Sequence, residues 1–228
     1  MTRFRVLATD YDGTLAYDGK VDEATIHALR EARAQGLKLV MVTGRELADL
    51  FNTFEHSELF ERIVAENGAV LYDPATKNVE VIASPPPRAL VEALERKAIP
   101  LSVGHSIVAT VEPYEHQVLA VIHDLGLEWH VIFNKGSVMA LPSDITKATG
   151  LAPALAALGV PPEQTVGVGD AENDQAFLRM CGVAAAVDNA LPSVKAVAQV
   201  VTTGARGAGV VELLAMMLSG DLDAVART

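Results

Sequence analysis

Short apolar runs alternate with segments of helical periodicity toward both ends of this chain, and this alternation restricts the fold more than any other feature. The apolar run at residues 6–8 precedes a helix that Asp22 can cap and Gly36 can end, and residues 37–42 form a second apolar run. Two apolar strands joined through a helix form a βαβ unit, whose strands lie parallel in one sheet. The pattern therefore predicts an α/β protein with a Rossmann-like, doubly wound parallel sheet.

Further elements are predicted before residue 84. They are a helix at 45–53, a tight turn at Asn67-Gly68, and strands at 63–65, 69–72 and 79–82.

The segment Ser84-Pro85-Pro86-Pro87 then interrupts the pattern. Consecutive prolines continue neither a helix nor a strand ladder, so this segment is a predicted linker.

The elements expected after the linker come in an α+β order: helices at 88–97 and 114–125, and strands at 102–111, 129–133 and 137–141. The alternation returns after Pro142, with helices at 148–158, 173–180, 191–198 and 210–218, and strands at 165–168 and 183–187. We predict a discontinuous core of residues 1–83 and 143–228 and an inserted small α+β domain of residues 84–142.

Net charge and composition limit which molecules the protein can bind and in which cell compartment it is expected. Lys and Arg number 18 against 29 Asp and Glu, and a net charge of −11 disfavours nonspecific binding to nucleic acid or to an anionic membrane. No apolar run approaches the ~20 residues that span a bilayer, and the N-terminus lacks a signal-like apolar segment. A single cysteine, Cys181, excludes an internal disulfide. We expect a cytoplasmic protein, and the sequence leaves open whether it is a monomer or a homodimer.

Two carboxylates, Asp10 and Asp12, follow the first apolar strand. Side chains two residues apart in extended backbone project to the same side, and open α/β sheets bind ligands beyond the carboxyl ends of their strands. Like charges this close need a cation or a shared proton. The alternative is a simple turn at Asp12-Gly13 that carries no chemistry.

Other polar segments follow two further strands. Thr43-Gly44-Arg45 follows the second strand and offers a hydroxyl and backbone amides to an anion, although Thr43 can equally be a helix cap. Residues 169–174 (Gly-Asp-Ala-Glu-Asn-Asp) follow the strand at 165–168, and their acids are also typical of helix caps and first turns. Together, three strands of one sheet would direct polar groups into one crevice.

Oxygen ligands of this kind favour Mg²⁺, which binds one or two carboxylates with waters and substrate phosphate. Asp10, Asp12 and Asp170 are the candidate ligands. The six histidines are scattered without the spacing of a zinc site. Lys147 either neutralises a phosphate or lies in solvent.

These segments, in this order, resemble the four motifs of the haloacid dehalogenase superfamily of phosphatases. The insert lies between the second and third motifs, as in the subfamily with a C2-type cap (IIB, Cof-like), which includes archaeal phosphoglycolate phosphatases and sucrose phosphatases. Residues 65–69 (Ala-Glu-Asn-Gly-Ala) and 188–190 (Asp-Asn-Ala) also resemble segments of that subfamily.

The resemblance implies a role for each matching residue. Asp10 would attack phosphorus and form an aspartyl phosphate, and Asp12 would protonate the leaving alkoxide and later activate water. Mg²⁺ would be held by Asp10, the main-chain carbonyl of Asp12 and Asp170, with Asp174 in or just outside the shell. Phosphate would be bound by Thr43, Gly44 and Lys147, while Asn189 would orient the phosphate or Lys147.

The cap offers candidates for substrate selection. Asn134 and Lys135 lie between two apolar strands, where they form either a hairpin turn or a contact to the leaving group, and His105 is a further candidate. The sequence thus indicates a Mg²⁺-dependent phosphatase of a small phosphorylated metabolite, of the phosphoglycolate or sugar phosphate type. Alternatives are a phosphosugar mutase and a non-catalytic module that senses a phosphoester, although a pure binder has no use for both Asp10 and Asp12.

Overall fold

The structure, a computed structural model, describes residues 3–134 and 136–225. The strands in these residues are β1 Val6–Thr9, β2 Lys38–Val42, β3 Arg62–Ala65, β4 Val70–Asp73, β5 Asn78–Val81, β6 Ser102–Val103, β7 Val108–Val111, β8 Trp129–Asn134, β9 Ser137–Pro142, β10 Thr165–Gly169, β11 Val183–Ala186 and β12 Val200–Val201. The α-helices are α1 Glu23–Ala34, α2 Leu47–Thr53, α3 Arg88–Arg96, α4 Glu115–Asp124, α5 Lys147–Leu158, α6 Gln175–Leu178, α7 Pro192–Lys195, α8 Gly207–Ser219 and α9 Leu222–Val225. No helix of these residues is both long and apolar enough to cross a membrane.

The larger sheet has the strand order β12-β11-β10-β1-β2-β3-β4-β5 within the described residues. Strands from β12 to β3 run parallel, and β4 and β5 extend the sheet as an antiparallel pair. All four residues of β1 are buried, as expected of an interior strand with helices on both faces of the sheet. The predicted α/β fold with a doubly wound, mostly parallel sheet is confirmed.

Helix α1 shows how the sequence produces the layers on this sheet. The Asp22 carboxylate caps it by accepting a hydrogen bond from the Thr25 amide at 2.8 Å. Ile26, Leu29 and Ala32 recur at helical spacing and are all buried. The helix therefore forms where the sequence predicts it and covers the sheet with its apolar face.

A second, four-stranded antiparallel sheet has the order β6-β7-β9-β8 and a separate hydrophobic cluster. Helices α3 and α4 contribute Leu90, Leu94, Val118 and Val121 to that cluster. We call residues 84–142 the cap. We propose that the two hydrophobic clusters mark the two predicted units, whose exact boundaries stay a prediction.

Several predicted elements are wrong in their extent. The predicted strand at 102–111 is two strands, β6 and β7, because a turn intervenes in which the Gly104 amide donates to the Ile107 carbonyl at 2.9 Å. The predicted helix at 173–180 begins with a 3₁₀ turn, Glu172–Asp174, and leaves only α6 as α-helix. The helix predicted at 191–198 shortens to α7, and β12 was not predicted because two residues carry no periodicity.

The turn at residues 66–68 links β3 to β4 and packs directly on the start of α5. Gly68 has φ +110°, and a Cβ built on it would lie 1.9 Å from the Thr146 carbonyl oxygen. Only glycine combines this backbone conformation with so close an approach. Residue 68 thus determines how closely the N-terminus of α5 packs against the sheet.

Gly68→Ala is expected to lower the free energy of unfolding by about 2–4 kcal/mol, because backbone strain adds to overpacking. Gly36→Ala is the matched control, since Gly36 also has positive φ (+93°) but nothing within 4 Å of a built Cβ. Its loss should be only about 1 kcal/mol. Urea unfolding of both variants measures the difference, and equal losses would contradict the role of the close contact.

Candidate active site

Polar residues follow three neighbouring strands of the large sheet at the point where each strand ends. Asp10 follows β1, Thr43 follows β2 and Asp170 follows β10. These strands are adjacent and parallel, so their carboxyl ends lie at one edge of the sheet. The Asp10 amide donates to Val168 at 3.0 Å, which continues the ladder up to the first carboxylate.

Lys147 brings a positive charge to this edge from the first residue of α5. Its Nζ donates to Oδ1 of Asp10 and to Oδ1 of Asp174, each at 2.6 Å, and only 2% of the residue is exposed. A helix N-terminus disfavours a cation, so local helix preference does not explain a lysine here. Burial lowers the pKa of the ammonium, but the two carboxylates outweigh it and hold that pKa above its usual range. The sequence left open whether Lys147 neutralises a phosphate or lies in solvent, and the structure shows that it is not exposed to solvent.

Three carboxylates form a buried cluster around this lysine. Asp10, Asp170 and Asp174 each offer an oxygen, and these oxygens lie within 4.8 Å of one another. The pKa of Asp10 is raised to about 7. Burial is the largest cause, the nearby Asp174 and Asp170 carboxylates also raise this pKa, and Lys147 lowers it. Lys147 pairs with two of these three carboxylates, and a bound cation would offset the repulsion among all three.

Asp174 also holds the loop that carries Asp170. Its Oδ2 accepts hydrogen bonds from the amides of Asp170 at 2.8 Å and Ala171 at 2.9 Å. A Cβ on Gly169 would lie 2.5 Å from that same oxygen, so glycine is required beneath the carboxylate. Asp174 is therefore a member of the carboxylate cluster and also fixes its geometry, because Oδ1 contacts Lys147 and Oδ2 accepts from two amides of the loop.

Asp12 lies apart from the buried cluster and is paired with Arg45. Oδ2 of Asp12 accepts from Nε of Arg45 at 2.7 Å, and Oδ1 accepts from Nη2 at 2.8 Å. Arg45 also pairs with Asp49 at 2.7 Å, and its guanidinium lies 5.4 Å from the Tyr11 ring centroid. About a third of the Asp12 side chain, 30%, is exposed. The two carboxylates of the first motif thus occupy different environments.

Thr43 and Gly44 form the loop after β2. Thr43 is fully buried and its hydroxyl accepts from the Arg45 amide at 3.1 Å. Its carbonyl accepts from the Asn67 amide at 3.0 Å, and a Cβ on Gly44 would lie 3.1 Å from the Asn67 side chain. The turn at 66–68 therefore buttresses this loop.

A cavity of about 610 Å³ lies between this edge of the sheet and the cap. Its described lining comprises Asp10, Asp12, Gly44, Arg45, Glu46, Asp49, Pro100, Leu101, Ser102, Ile107, Ala109, Thr110, Val111, Asn134, Ser137 and Met139. Of the predicted cap candidates, Asn134 belongs to this lining and His105 does not. Lys135 lies outside the described residues.

Asn189, for which the resemblance implies a phosphate-orienting role, joins two loops through its side-chain amide. Its Nδ2 donates to the Gly13 carbonyl and its Oδ1 accepts from the Arg206 amide, both at 2.8 Å. The side-chain amide thereby ties the loop after Asp12 to the start of α8. The structure gives Asn189 a tethering role, and its contact with phosphate stays a prediction.

No individual role was assigned from the sequence to three residues that contact the loops of the site or the cap: Arg45, Glu66 and Asn67. Arg45 had a local signal, because Asp49 lies four residues later and suits an i,i+4 ion pair. The Asn-Gly turn pattern concealed Glu66 and Asn67, since a tight turn explains that pair of residues without any contact to the cap.

The model of one protein family, described as haloacid dehalogenase-like hydrolase, matches residues 7–106 and 122–214, which is most of the chain. The chain belongs to the haloacid dehalogenase-like hydrolases. The match confirms that the protein is a hydrolase of the family that its four motifs resemble.

Individual relatives cover nearly the whole chain. Phosphoglycolate phosphatase 2 of Saccharolobus solfataricus is 27% identical over 221 residues, which are 95% of this chain and 93% of that protein. A haloacid dehalogenase-like hydrolase from Bacteroides thetaiotaomicron has a similar structure, with a TM-score of 0.80 at 18% identity, covering 94% of this chain and 99% of that one. A sugar phosphatase of superfamily subclass IIB has a TM-score of 0.73 at 21% identity, with 97% and 99% covered. The two structures confirm the fold of a Rossmann-like core with a cap.

Lys147→Met is expected to lower the free energy of unfolding by about 3–5 kcal/mol in the presence of a chelator, because it leaves buried carboxylates without their cation. Urea unfolding measures the loss. Lys195→Met is the control, because Lys195 is one-third exposed and its 3.5 Å pair with Asp188 lies at the surface; it should change stability by less than about 1 kcal/mol. Similar losses in the two variants would contradict the importance of the buried ion pairs.

Proposed function

We propose that this hydrolase is a Mg²⁺-dependent phosphatase that cleaves small phosphorylated metabolites through a covalent aspartyl phosphate. The observation that supports this most is the contact of Lys147 with Asp10 at the floor of a cavity roofed by the cap. A carboxylate held beside a buried cation, with a threonine and a glycine loop on the adjacent strand, suits attack on an anionic phosphoryl group.

The buried carboxylates suit a magnesium ion by their chemistry. Their donors are hard oxygens, and these oxygens lie within 4.8 Å of one another. Asp10 and Asp170 would hold the ion, together with the Asp12 carbonyl, and Asp174 would stand beside them. When bound, the ion would offset charge on the phosphoryl oxygens and favour the ionised form of Asp10.

Asp10 is the nucleophile in this proposal. A carboxylate oxygen forms a bond to phosphorus as the ester P–O bond breaks, and the electron pair of that bond leaves on the substrate oxygen. Water then attacks the same phosphorus, which releases inorganic phosphate and restores the Asp10 carboxylate. Thr43, Gly44 and Lys147 bind the phosphoryl oxygens, so the chain mainly positions groups and balances charge.

Asp12 is the acid and base. It lies on the cavity wall, where a leaving group would emerge, whereas Asp10 lies in the buried cluster. Both oxygens of Asp12 accept hydrogen bonds from the Arg45 guanidinium, so in this proposal one of these contacts is exchanged for the leaving-group oxygen during proton transfer. The proton passes from Asp12 to the leaving alkoxide, and Asp12 later removes one from the attacking water.

The substrate is proposed to be a small phosphoester of the phosphoglycolate or sugar phosphate type. Relatives over nearly the full length of the chain are phosphoglycolate phosphatases, which supports this class. Hydroxyl and amide groups of the cap, at Ser102, Thr110 and Asn134, line the cavity opposite Asp12 and suit hydrogen bonds to a polar leaving group.

Asp10→Asn is expected to reduce phosphate release by on the order of 10³-fold or more, since an amide does not replace the nucleophile. The measurement is phosphate release from phosphoglycolate, sugar phosphates and p-nitrophenyl phosphate, with Mg²⁺ and with chelator. Asp124→Asn is the control and should retain activity, because the Asp124 side chain is exposed at the C-terminal end of α4. Release that survives Asp10→Asn would rule out the covalent route, and release that survives chelation would rule out the metal.

Asp12→Asn should act differently on different leaving groups. Loss of a general acid is expected to cost about 10²–10⁴-fold with alkyl phosphates and far less with p-nitrophenyl phosphate, whose leaving group needs little protonation. The ratio of kcat/KM for the two substrates, in wild type and variant, measures this. Equal losses would contradict the acid role of Asp12.

A further inference from the structure

The turn at residues 66–68 is conformationally costly. Glu66, Asn67 and Gly68 have φ values of 49°, 53° and 110°, three consecutive residues in the left-handed region. Such a conformation costs about 1–3 kcal/mol at each non-glycine residue and persists only where surrounding contacts hold it. The contacts of Glu66 and Asn67 show what holds it here.

Glu66 extends from the core into the cap. Its side chain is fully buried, and its Oε1 accepts from the His105 amide at 3.0 Å while its Oε2 accepts from the Ser106 amide at 2.8 Å. Nδ1 of His105 lies 3.1 Å from the same Oε1. This ring nitrogen donates to Oε1 in the tautomer that carries its proton on Nδ1. Among the described residues, the buried carboxyl group of Glu66 is thus contacted by two backbone amides and a ring nitrogen of the cap.

The cap loop at residues 104–107 is built around this carboxylate. A Cβ on Gly104 would lie 2.8 Å from Cδ and both oxygens of Glu66. The loop closes on itself through the Gly104 amide and the Ile107 carbonyl. No side chain fits at residue 104 while Glu66 keeps its place.

This loop lies between two residues that form the roof of the cavity. Ser102 precedes it and Ile107 ends it, and both line the cavity above Asp10. The Ser102 hydroxyl also donates to Oε1 of Glu46 on the core side at 2.5 Å. A displacement of the loop would therefore move the wall that faces the leaving group.

Asn67 joins the same turn to the catalytic loops. Its amide donates to the Thr43 carbonyl at 3.0 Å, and its Oδ1 accepts from Nδ2 of Asn173 at 2.9 Å. Its Nδ2 contacts Sδ of Met139 in the cap at 3.4 Å. One strained turn thus contacts the loop after β2, the acidic loop and the cap.

We propose that Glu66 is a positioning residue whose carboxylate seats the cap loop 104–107 on the core, and so sets the distance between the cap wall of the cavity and Asp10. The expected effect of Glu66 on catalysis rests on the proposed phosphatase function. The seating itself is a physical property that is measurable without any substrate.

Hydrogen–deuterium exchange of the whole protein tests the seating. In Glu66→Ala the amides of His105 and Ser106 lose their acceptor, so their exchange should accelerate by about tenfold to a hundredfold, the equilibrium factor of hydrogen bonds to a charged group. Amides of β1 and β10 should be unchanged. Glu66→Gln keeps one acceptor oxygen and should be intermediate, and Glu95→Ala, at an exposed position of α3, is the control. Unchanged exchange at residues 105–106, or equal acceleration throughout the chain, would overturn the proposal.

Kinetics test the consequence. Glu66→Ala should lower kcat/KM by about tenfold or more for the best sugar phosphate, and by less than about threefold for acetyl phosphate, whose acetate leaving group is too small to need the cap wall. A general loss of folded protein would lower both equally and would overturn the positioning role. If wild type releases no phosphate from any substrate, the proposed function fails while the exchange result still decides the seating.

A double-mutant cycle isolates the contact. Gly104→Ala displaces the Glu66 carboxylate and should reproduce the faster exchange of residues 105–106. In the Glu66→Ala background the obstructing carboxylate is gone, so Gly104→Ala should add less than about twofold. Full additivity of the two changes would show that Gly104 and Glu66 act independently and would contradict the proposal.

Discussion

The ion pairs of Lys147 with Asp10 and Asp174 are the interaction on which the rest of the site depends. An ammonium this buried is stable only with charged partners, and a helix N-terminus adds no favourable field for it. Each partner comes from a different segment: Asp10 from the end of β1, Asp174 from the loop after β10, and Lys147 from α5. The ion pairs therefore require the completed sheet, the loop and the helix all at once.

Close packing between the backbone of the turn at 66–68 and the backbone of α5 fixes the position of Lys147. Gly68 lies against the Thr146 carbonyl, and a Cβ built on Gly150 would lie 2.6 Å from the Gly68 Cα and carbonyl oxygen. The first turn of α5 is thus pressed against the turn at 66–68, which itself contacts the loop after β2 through Asn67. Gly68 and Gly150 allow the start of α5 to lie this close to the turn at 66–68, and Lys147 can then reach the carboxylates. The positions of the charged groups therefore depend on two residues that have no side chain.

The sequence predicts the parts of this site that follow from strand order and misses those that depend on long side chains. Convergence of Asp10, Thr43 and Asp170 follows from parallel strands whose carboxyl ends share one edge. The contact of Glu66 with His105 joins residues 39 positions apart across two sheets, and no local pattern specifies it. The predicted strand at 102–111 fails for the same reason, because the turn that interrupts it is stabilised by a carboxylate from the core.

Burial also explains why two neighbouring carboxylates of one motif suit different tasks. Both carboxylates line the cavity, but Asp10 is only 4% exposed and lies among Lys147, Asp170 and Asp174, whereas the Asp12 side chain is 30% exposed and pairs with Arg45. An ion in the buried cluster would favour the charged form of Asp10, which a nucleophile needs. In the proposed mechanism Asp12, which lines the cavity, exchanges a proton first with the leaving group and then with water. Arg45 contributes to this separation, because its guanidinium donates to both oxygens of Asp12 and so places a positive charge beside a carboxylate that lies near an acidic cluster.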